Sequence, residues 1–395
     1  MTAPLWIACL ATLAACGARP ARDGTARTTS TTTSGAIATA NLDHLIAQHG
    51  DEPGVEDLLL ARARFLADYD ALDRAAALAE ARCPAGACAT AAQHLQRARA
   101  RSAAHRFADA LDDLAAAEAA GAPSASLAAP RAAIWVATGR AGDAIPALEA
   151  AAATRPDLAS RTALATALAA RGRFAEADRL YAAALDALDT TSPFPFASTE
   201  FARGVMWTEQ AGDPARGEPH YRRALAYLPS FAAARIHLAE IEAARGDTAA
   251  AMARLAPVAA SGEPEALGLL GALHLRAGNT ARGRDELARA ARRFEALLAR
   301  QPLAFADHAA EFYLGAGADP ERARSLAQVN LAARPTERAF ALAIAAAHAT
   351  GRDGEADLLR RRASEAVRPR VGSGMIWQTS AVQRFTPDPG RSPVW

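Results

Sequence analysis

Read for its apolar and polar positions, most of the chain repeats one pattern: a short helix, a turn with a small residue, and a second helix with small and large residues at fixed offsets. With the turn residue as marker, the pattern recurs at Gly139, Gly172, Gly212, Gly246, Gly278 and Gly351, with His105 and Ala318 in equivalent places. Successive markers stand about 34, 33, 40, 34, 32, 40 and 33 residues apart, and the two longer steps predict loops with a few extra residues. Gly172 is followed by Ala177, Tyr181 and Ala184, and Gly212 by Gly217, Tyr221, Ala224 and then Pro229. After Gly139 the same places hold Ala144, Leu148 and Ala151, with Pro156 beyond them, and the Ala318 unit has Ala323 and ends at Pro335. The offsets have a packing cause: two helices cross closely only where side chains are small, and the large residue between them fills the neighbouring groove.

Prolines fit the same frame. Pro146 and Pro219 fall seven places after their markers, which predicts the first turn of a second helix, where a missing N–H costs nothing. Pro214 and Pro320 fall two places after theirs and are predicted in the turn itself. No alternation of period two is long enough for a strand, so the body is expected to be all-α.

Period and offsets together resemble the tetratricopeptide repeat, as does the pair Leu270-Gly271 in the helix before Gly278. The resemblance implies a right-handed superhelical solenoid of about eight to nine helix-turn-helix repeats over residues 41–369, the weakest from Val55 to Ala81. It departs from the family where Arg360 replaces a large apolar residue, so the Gly351 unit reads as a polar-faced cap. The family's first helices line a groove, and by that offset Arg203, Met206, Glu209, His237, Glu240, Arg276, His308 and Phe312 are its candidate partner-binding residues. Ordinary solvated faces are the competing reading for these side chains. Trp135 and Trp207 are read as core.

Composition narrows the chemistry. Acids and bases nearly balance, at a net charge of +1, and are interspersed, so there is no basic stripe for nucleic acid. All basic side chains are Arg, which excludes a Walker-type phosphate loop, a Schiff-base lysine and a Ser-x-x-Lys nucleophile. The histidines are scattered, no His-Glu-x-x-His or Gly-x-Ser-x-Gly occurs, and carboxylates such as Glu176 and Glu286 stand at salt-bridge spacing from Arg179 and Arg289. A glycosidase-type carboxylate pair meets in space and leaves no mark in spacing. A protein without catalytic residues, cofactor or metal is expected.

The N-terminus has an apolar run from Pro4 to Ala15, too short to span a bilayer, with no basic residue before it. It ends in Leu13-Ala14-Ala15-Cys16-Gly17, which resembles the lipobox of bacterial lipoproteins. That resemblance implies a signal peptide over 1–15, cleavage before Cys16 and lipid on its sulfur; the competing reading is an Ala-rich buried helix with an incidental Cys. Residues 16–40, with the run Thr28-Thr29-Ser30-Thr31-Thr32-Thr33-Ser34, read as a flexible tether. Only Cys83 and Cys88 then remain in the folded body, and an exported compartment would join them as a disulfide. Two free thiols or half of a metal site are the alternatives.

The function expected from these readings is a non-catalytic scaffold or adaptor in the cell envelope, anchored through lipid on Cys16 and binding other proteins. Gly17 rather than Asp after the lipidated Cys favours the outer membrane where a cell has two. A regulatory subunit of a periplasmic cell-wall or polysaccharide enzyme is the alternative, and a cytoplasmic adaptor a weaker one. Residues 370–395 lack the repeat and form a tail in which Met375-Ile376-Trp377 is either disordered or docked on the repeats.

Overall fold

The computed structural model describes residues 32–84 and 88–366. Among the described residues there are nineteen α-helices and no strand. Helix α1 (Gly35–His49) precedes nine hairpins: α2 (Val55–Leu66) with α3 (Tyr69–Arg82), α4 (Ala91–Ala103) with α5 (Phe107–Ala119), α6 (Ser124–Ala137) with α7 (Ala141–Thr154), α8 (Leu158–Ala169) with α9 (Phe174–Asp186), and α10 (Pro193–Val205) with α11 (Pro214–Tyr227). There follow α12 (Ala232–Ala244) with α13 (Thr248–Ala260), α14 (Pro264–Arg276) with α15 (Thr280–Arg300), α16 (Pro302–Leu314) with α17 (Pro320–Ala333), and α18 (Glu337–Ala349) with α19 (Asp353–Ala366). A π-helical segment, Met206–Gln210, continues α10. The architecture is a helical-hairpin repeat, as the marker pattern predicts.

Each hairpin turns on one residue with positive φ. All eight markers lie in this region, including the non-glycines His105 at 58° and Ala318 at 50°, and Ala67 at 53° makes the turn of the first hairpin. The left-handed residue lets the next N–H reach back and close the preceding helix: Arg140 to the Trp135 carbonyl at 2.6 Å, Arg173 to Leu168 at 2.9 Å and Asn279 to His274 at 2.9 Å. Five places on, the small residue is buried in each of the eight marked units: Ala110, Ala144, Ala177, Gly217, Ala251, Gly283, Ala323 and Ala356. At Gly271 and Gly283 the two helices press backbone on backbone, for a Cβ on Gly271 would stand 3.0 Å from the Gly283 carbonyl oxygen, and one on Gly283 2.9 Å from that of Gly271.

The structure corrects several details. Pro214 and Pro320 do not sit in turns; each is the first residue of its helix, behind the N-caps Asp213 and Asp319, whose carboxylates accept from the Arg216 and Arg322 N–H groups at 3.0 Å. Pro146 and Pro219 lie in the second helical turn rather than the first, and Pro130 and Pro257 are also interior, in α6 and α13. The longer step after Gly278 lengthens α15 instead of a loop. Among the described residues the first helix begins at Gly35, so residues 35–40, expected in the tether, belong to α1. Glu286 meets Arg289 at 2.6 Å, but Glu176 takes Arg173 at 2.7 Å as its hydrogen-bonded partner.

The chain forms two compact units, Met1–His237 and Leu238–Trp395. In the first, α2 is buried on all sides, and its Phe65 packs on Phe194 of α10 and on Phe231 before α12, at 4.9 Å between centroids in each case. Arg64 bonds the Ser198 hydroxyl of α10. The Thr33 N–H donates to the Thr191 carbonyl at 2.7 Å, and Gly35 abuts Pro229 and Tyr227. This unit is thus closed across its own ends, where a linear array would join neighbours only. The second unit is built from residues 238–244 of α12 and from α13 to α19, around Leu255, Leu273, Phe294, Phe305, Leu342 and their neighbours.

Candidate functional site

The candidate groove residues lie on first helices, as their spacing predicts, but most of them face protein. Met206 is fully enclosed in the core with Tyr181, Ala202 and Trp207. Arg203 reaches back to α9, where Nε and Nη2 bond the two Asp178 carboxylate oxygens at 2.9 and 3.0 Å. The Trp207 indole N–H donates to Asp178 at 3.1 Å, and the Arg216 guanidinium covers the indole face at 3.2 Å. Burial would raise the Asp178 carboxyl, yet the Arg203 and Trp207 donors hold it below the usual carboxylate range. Trp207 is core, as its position implied; Trp135 is half-buried beside Arg140, 5.3 Å from its ring.

Glu209 and His237 also meet inside the protein. The His237 Nδ1 lies 3.1 Å from Glu209 Oε1, and its ring stacks on Tyr221 with centroids 5.4 Å apart and planes at 10°. A second buried His–Glu pair, missed in the sequence, lies beside it: His220 Nδ1 and Glu200 Oε2 are 2.6 Å apart, with the Arg223 Nε 3.0 Å from the same carboxylate. Burial opposes the Glu200 charge, but His220 and Arg223 outweigh it and hold the carboxyl low. Nothing in sequence spacing marks Asp178, whose partners come from another helix, and Glu200 is marked only by Arg203 three places on, at 3.9 Å, while its nearer partners His220 and Arg223 come from α11.

In the second unit His308 is buried between Glu265, 3.1 Å from Nδ1, and Asp307, 3.9 Å from Nε2. Burial disfavours the imidazolium, yet these carboxylates prevail and the His308 pKa is pushed up to about 10. Asp307 also takes Arg334 at 2.8 Å, and Arg338 pairs with Glu311. Phe312 packs 5.2 Å from Phe294 and fills the space that Gly268 and Gly317 leave open. Of the eight candidates, Arg276 is exposed, next to the exposed Leu275, and Glu240 is half-buried. The expectation of a solvent-open lining at Arg203, Met206, Glu209, His237, His308 and Phe312 is therefore corrected: these side chains are taken up by neighbouring helices and by one another.

Cys16 and the tail at 370–395 lie outside the described residues. Cys83 and Cys88 are joined as a disulfide, with Cα atoms 4.5 Å apart. No helix among the described residues is long and apolar enough to cross a membrane.

No protein family and no curated protein matches the sequence. Among solved structures the chain is similar to a tetratricopeptide repeat protein from Parabacteroides merdae ATCC 43184, at 13% identity over 75% of this chain and 99% of that one, with a TM-score of 0.40. It is similar also to the apo form of the quorum sensor NprR from B. thuringiensis, at 12% identity over 84% and 87% of the two chains and a TM-score of 0.37. Human IFIT1, as a dimer with m7Gppp-AAAA, matches at 14% identity over 85% and 82%, with a TM-score of 0.43. On the geometry of its own hairpins, the chain is an all-α protein of tandem helix-turn-helix repeats.

Proposed function

We propose that this protein is a non-catalytic scaffold that binds other proteins at the bacterial envelope and is held there by lipid on Cys16. The observation that carries the scaffold reading is where the charged side chains go. They tie helix to helix: Arg101 to Glu80 at 2.8 Å, Arg203 to Asp178, Arg254 to Glu242 at 2.6 Å and Arg324 to Glu355 at 3.3 Å. Charges that hold helix against helix, within and between hairpins, build a framework, and function then resides in what its surface holds. Arg276 and Leu275 stand on its exposed part.

The anchor rests on Leu13-Ala14-Ala15-Cys16-Gly17 and on the polar stretch that follows. A Cys83–Cys88 disulfide suits an oxidising, exported compartment. Gly17 after the lipidated Cys favours the outer membrane of a two-membrane cell.

Intact mass and membrane fractionation of the chain and of Cys16→Ser, expressed in a Gram-negative host, test the reading. The expected result is loss of residues 1–15, a lipid-sized gain in mass and membrane partition for the natural chain alone, followed by crosslinking to envelope proteins. An unprocessed, soluble natural chain overturns the anchor.

A further inference from the structure

The loop between α3 and α4 brings together more than two cysteines. Cys83 directly follows α3 and is fully buried, Cys88 stands just before the Thr90 cap of α4, and His94 is in the first turn of α4. The two sulfurs and a ring nitrogen of His94 all lie within 4.8 Å of one another. Both flanks are fixed. Thr90 and Gln93 cap α4 reciprocally, the Gln93 amide donates to the Arg82 carbonyl at 3.1 Å, and the buried Arg97 bonds the Cys83 carbonyl. Ligands carried on two pinned helix ends converge without reorganisation of the fold.

His94 supplies the independent sign that something is to be bound. Its Nδ1 is buried and makes no hydrogen bond, 3.7 Å from Asp113 Oδ1. Asp113 is itself held by Arg97 at 2.6 Å and Arg101 at 3.0 Å. A buried ring nitrogen that makes no hydrogen bond, with its facing carboxylate only at 3.7 Å, is costly. A metal on Nδ1 would satisfy it directly; a metal on Nε2 would fix the tautomer whose Nδ1–H points to Asp113, the carboxylate–histidine–metal arrangement of many sites. Two sulfurs and an imidazole select thiophilic ions over hard ones such as Mg2+ or Ca2+.

We propose that, once the disulfide is reduced, Cys83, Cys88 and His94 bind a thiophilic divalent cation of the Zn2+ class, with water as fourth ligand. Reduction by a phosphine cleaves the S–S bond: the phosphine supplies two electrons and leaves as its oxide, and one water molecule supplies the oxide oxygen and the two thiol protons. Metal binding then releases those two protons to buffer and leaves two thiolates and a neutral imidazole on the ion.

Co2+ is the probe, used on the full chain carrying Cys9→Ser and Cys16→Ser so that no other thiol competes. The phosphine-reduced chain under nitrogen should take up equimolar Co2+, with thiolate-to-cobalt charge transfer and the intense visible bands of four-coordinate Co2+, and Zn2+ should displace it. The oxidised chain, identical in sequence, should give neither band. His94→Gln, checked for unchanged helix content by circular dichroism, should lose about tenfold or more in affinity and shift the visible bands. A reduced chain that binds no more Co2+ than the oxidised one overturns the site; His94→Gln with unaltered affinity and spectrum removes the imidazole and overturns it equally.

Discussion

Phe65, next to last in α2, and Phe231, directly before α12, meet with centroids 4.9 Å apart and planes at 70°. Phe201 lies 4.8 Å from Phe231 and 5.7 Å from Tyr221, so one aromatic row runs from the first hairpin of the unit to its last. A linear repeat array has stability that sums over neighbours and can fray from either end. This closure removes the free end. Phe65→Ala is therefore expected to cost about 3–5 kcal/mol, the range for truncating a buried Phe. The loss should be felt at both ends of the unit, so that hydrogen exchange of α10 rises together with that of α2. Protection that falls in α2 alone would show the ends to be uncoupled.

Gly35 makes the second closing contact. A Cβ there would stand 2.7 Å from both Pro229 Cδ and the Tyr227 carbonyl oxygen, so α1 can lie in place only with no side chain at this position. Gly35→Val forces one of the two to move, an overpacking expected to cost about 1–3 kcal/mol. Limited proteolysis between residues 35 and 54 reads the release of α1. Cleavage at the natural rate would mean that the α1 contact carries no stability.

At Ala318 the hairpin turn adopts φ of 50° with a Cβ present, on an exposed residue. The left-handed region strains an L-residue by roughly 1–2 kcal/mol, against the greater entropy that glycine loses on folding. Ala318→Gly should thus stabilise by up to about 1 kcal/mol, and Gly172→Ala, at φ of 74°, should destabilise by a similar amount. Thermal denaturation of the two variants beside the natural chain measures both signs. His105→Gly is not an equivalent test, because the buried imidazole stacks on Phe107 at 5.2 Å and its removal leaves a gap.

The hairpins were legible because their signal is local. A turn residue at positive φ and a small residue five places on are both set within one unit, which is why even His105 and Ala318 could be placed by spacing alone. Ala67 escaped that reading, since the first hairpin follows it with Leu72, which is large where the other units are small. The closure of α1 and α2 on α10 and on the segment between α11 and α12 left no mark, for no single hairpin pattern states which distant hairpin it will meet. The groove failed for the same reason. Spacing put Met206 and His237 on first helices, but whether those side chains meet solvent or, as here, Tyr181 and Tyr221 depends on chain from elsewhere.

The His308 cluster gives the second unit a pH dependence whose sign can be worked out. Carboxylates of Glu265 and Asp307 face the ring directly, Glu263, Glu311, Arg334 and Arg338 lie around them, and the His308 pKa is pushed up to about 10 from an ordinary 6.5. A group that binds its proton more tightly when folded contributes stability fully below its unfolded pKa, and loses it as pH rises through the folded one. Glu263 adds to this in the same direction, because burial, with Glu265 beside it, raises its carboxyl to about 8. The second unit should therefore lose stability as pH rises, through Glu263 between about pH 4.5 and 8 and through His308 between about pH 6.5 and 10, and His308→Gln, itself less stable at neutral pH, should flatten the upper part of that slope. Tm against pH for the natural chain and the variant decides it: parallel slopes would mean that the imidazolium is no part of what holds α14 to α16.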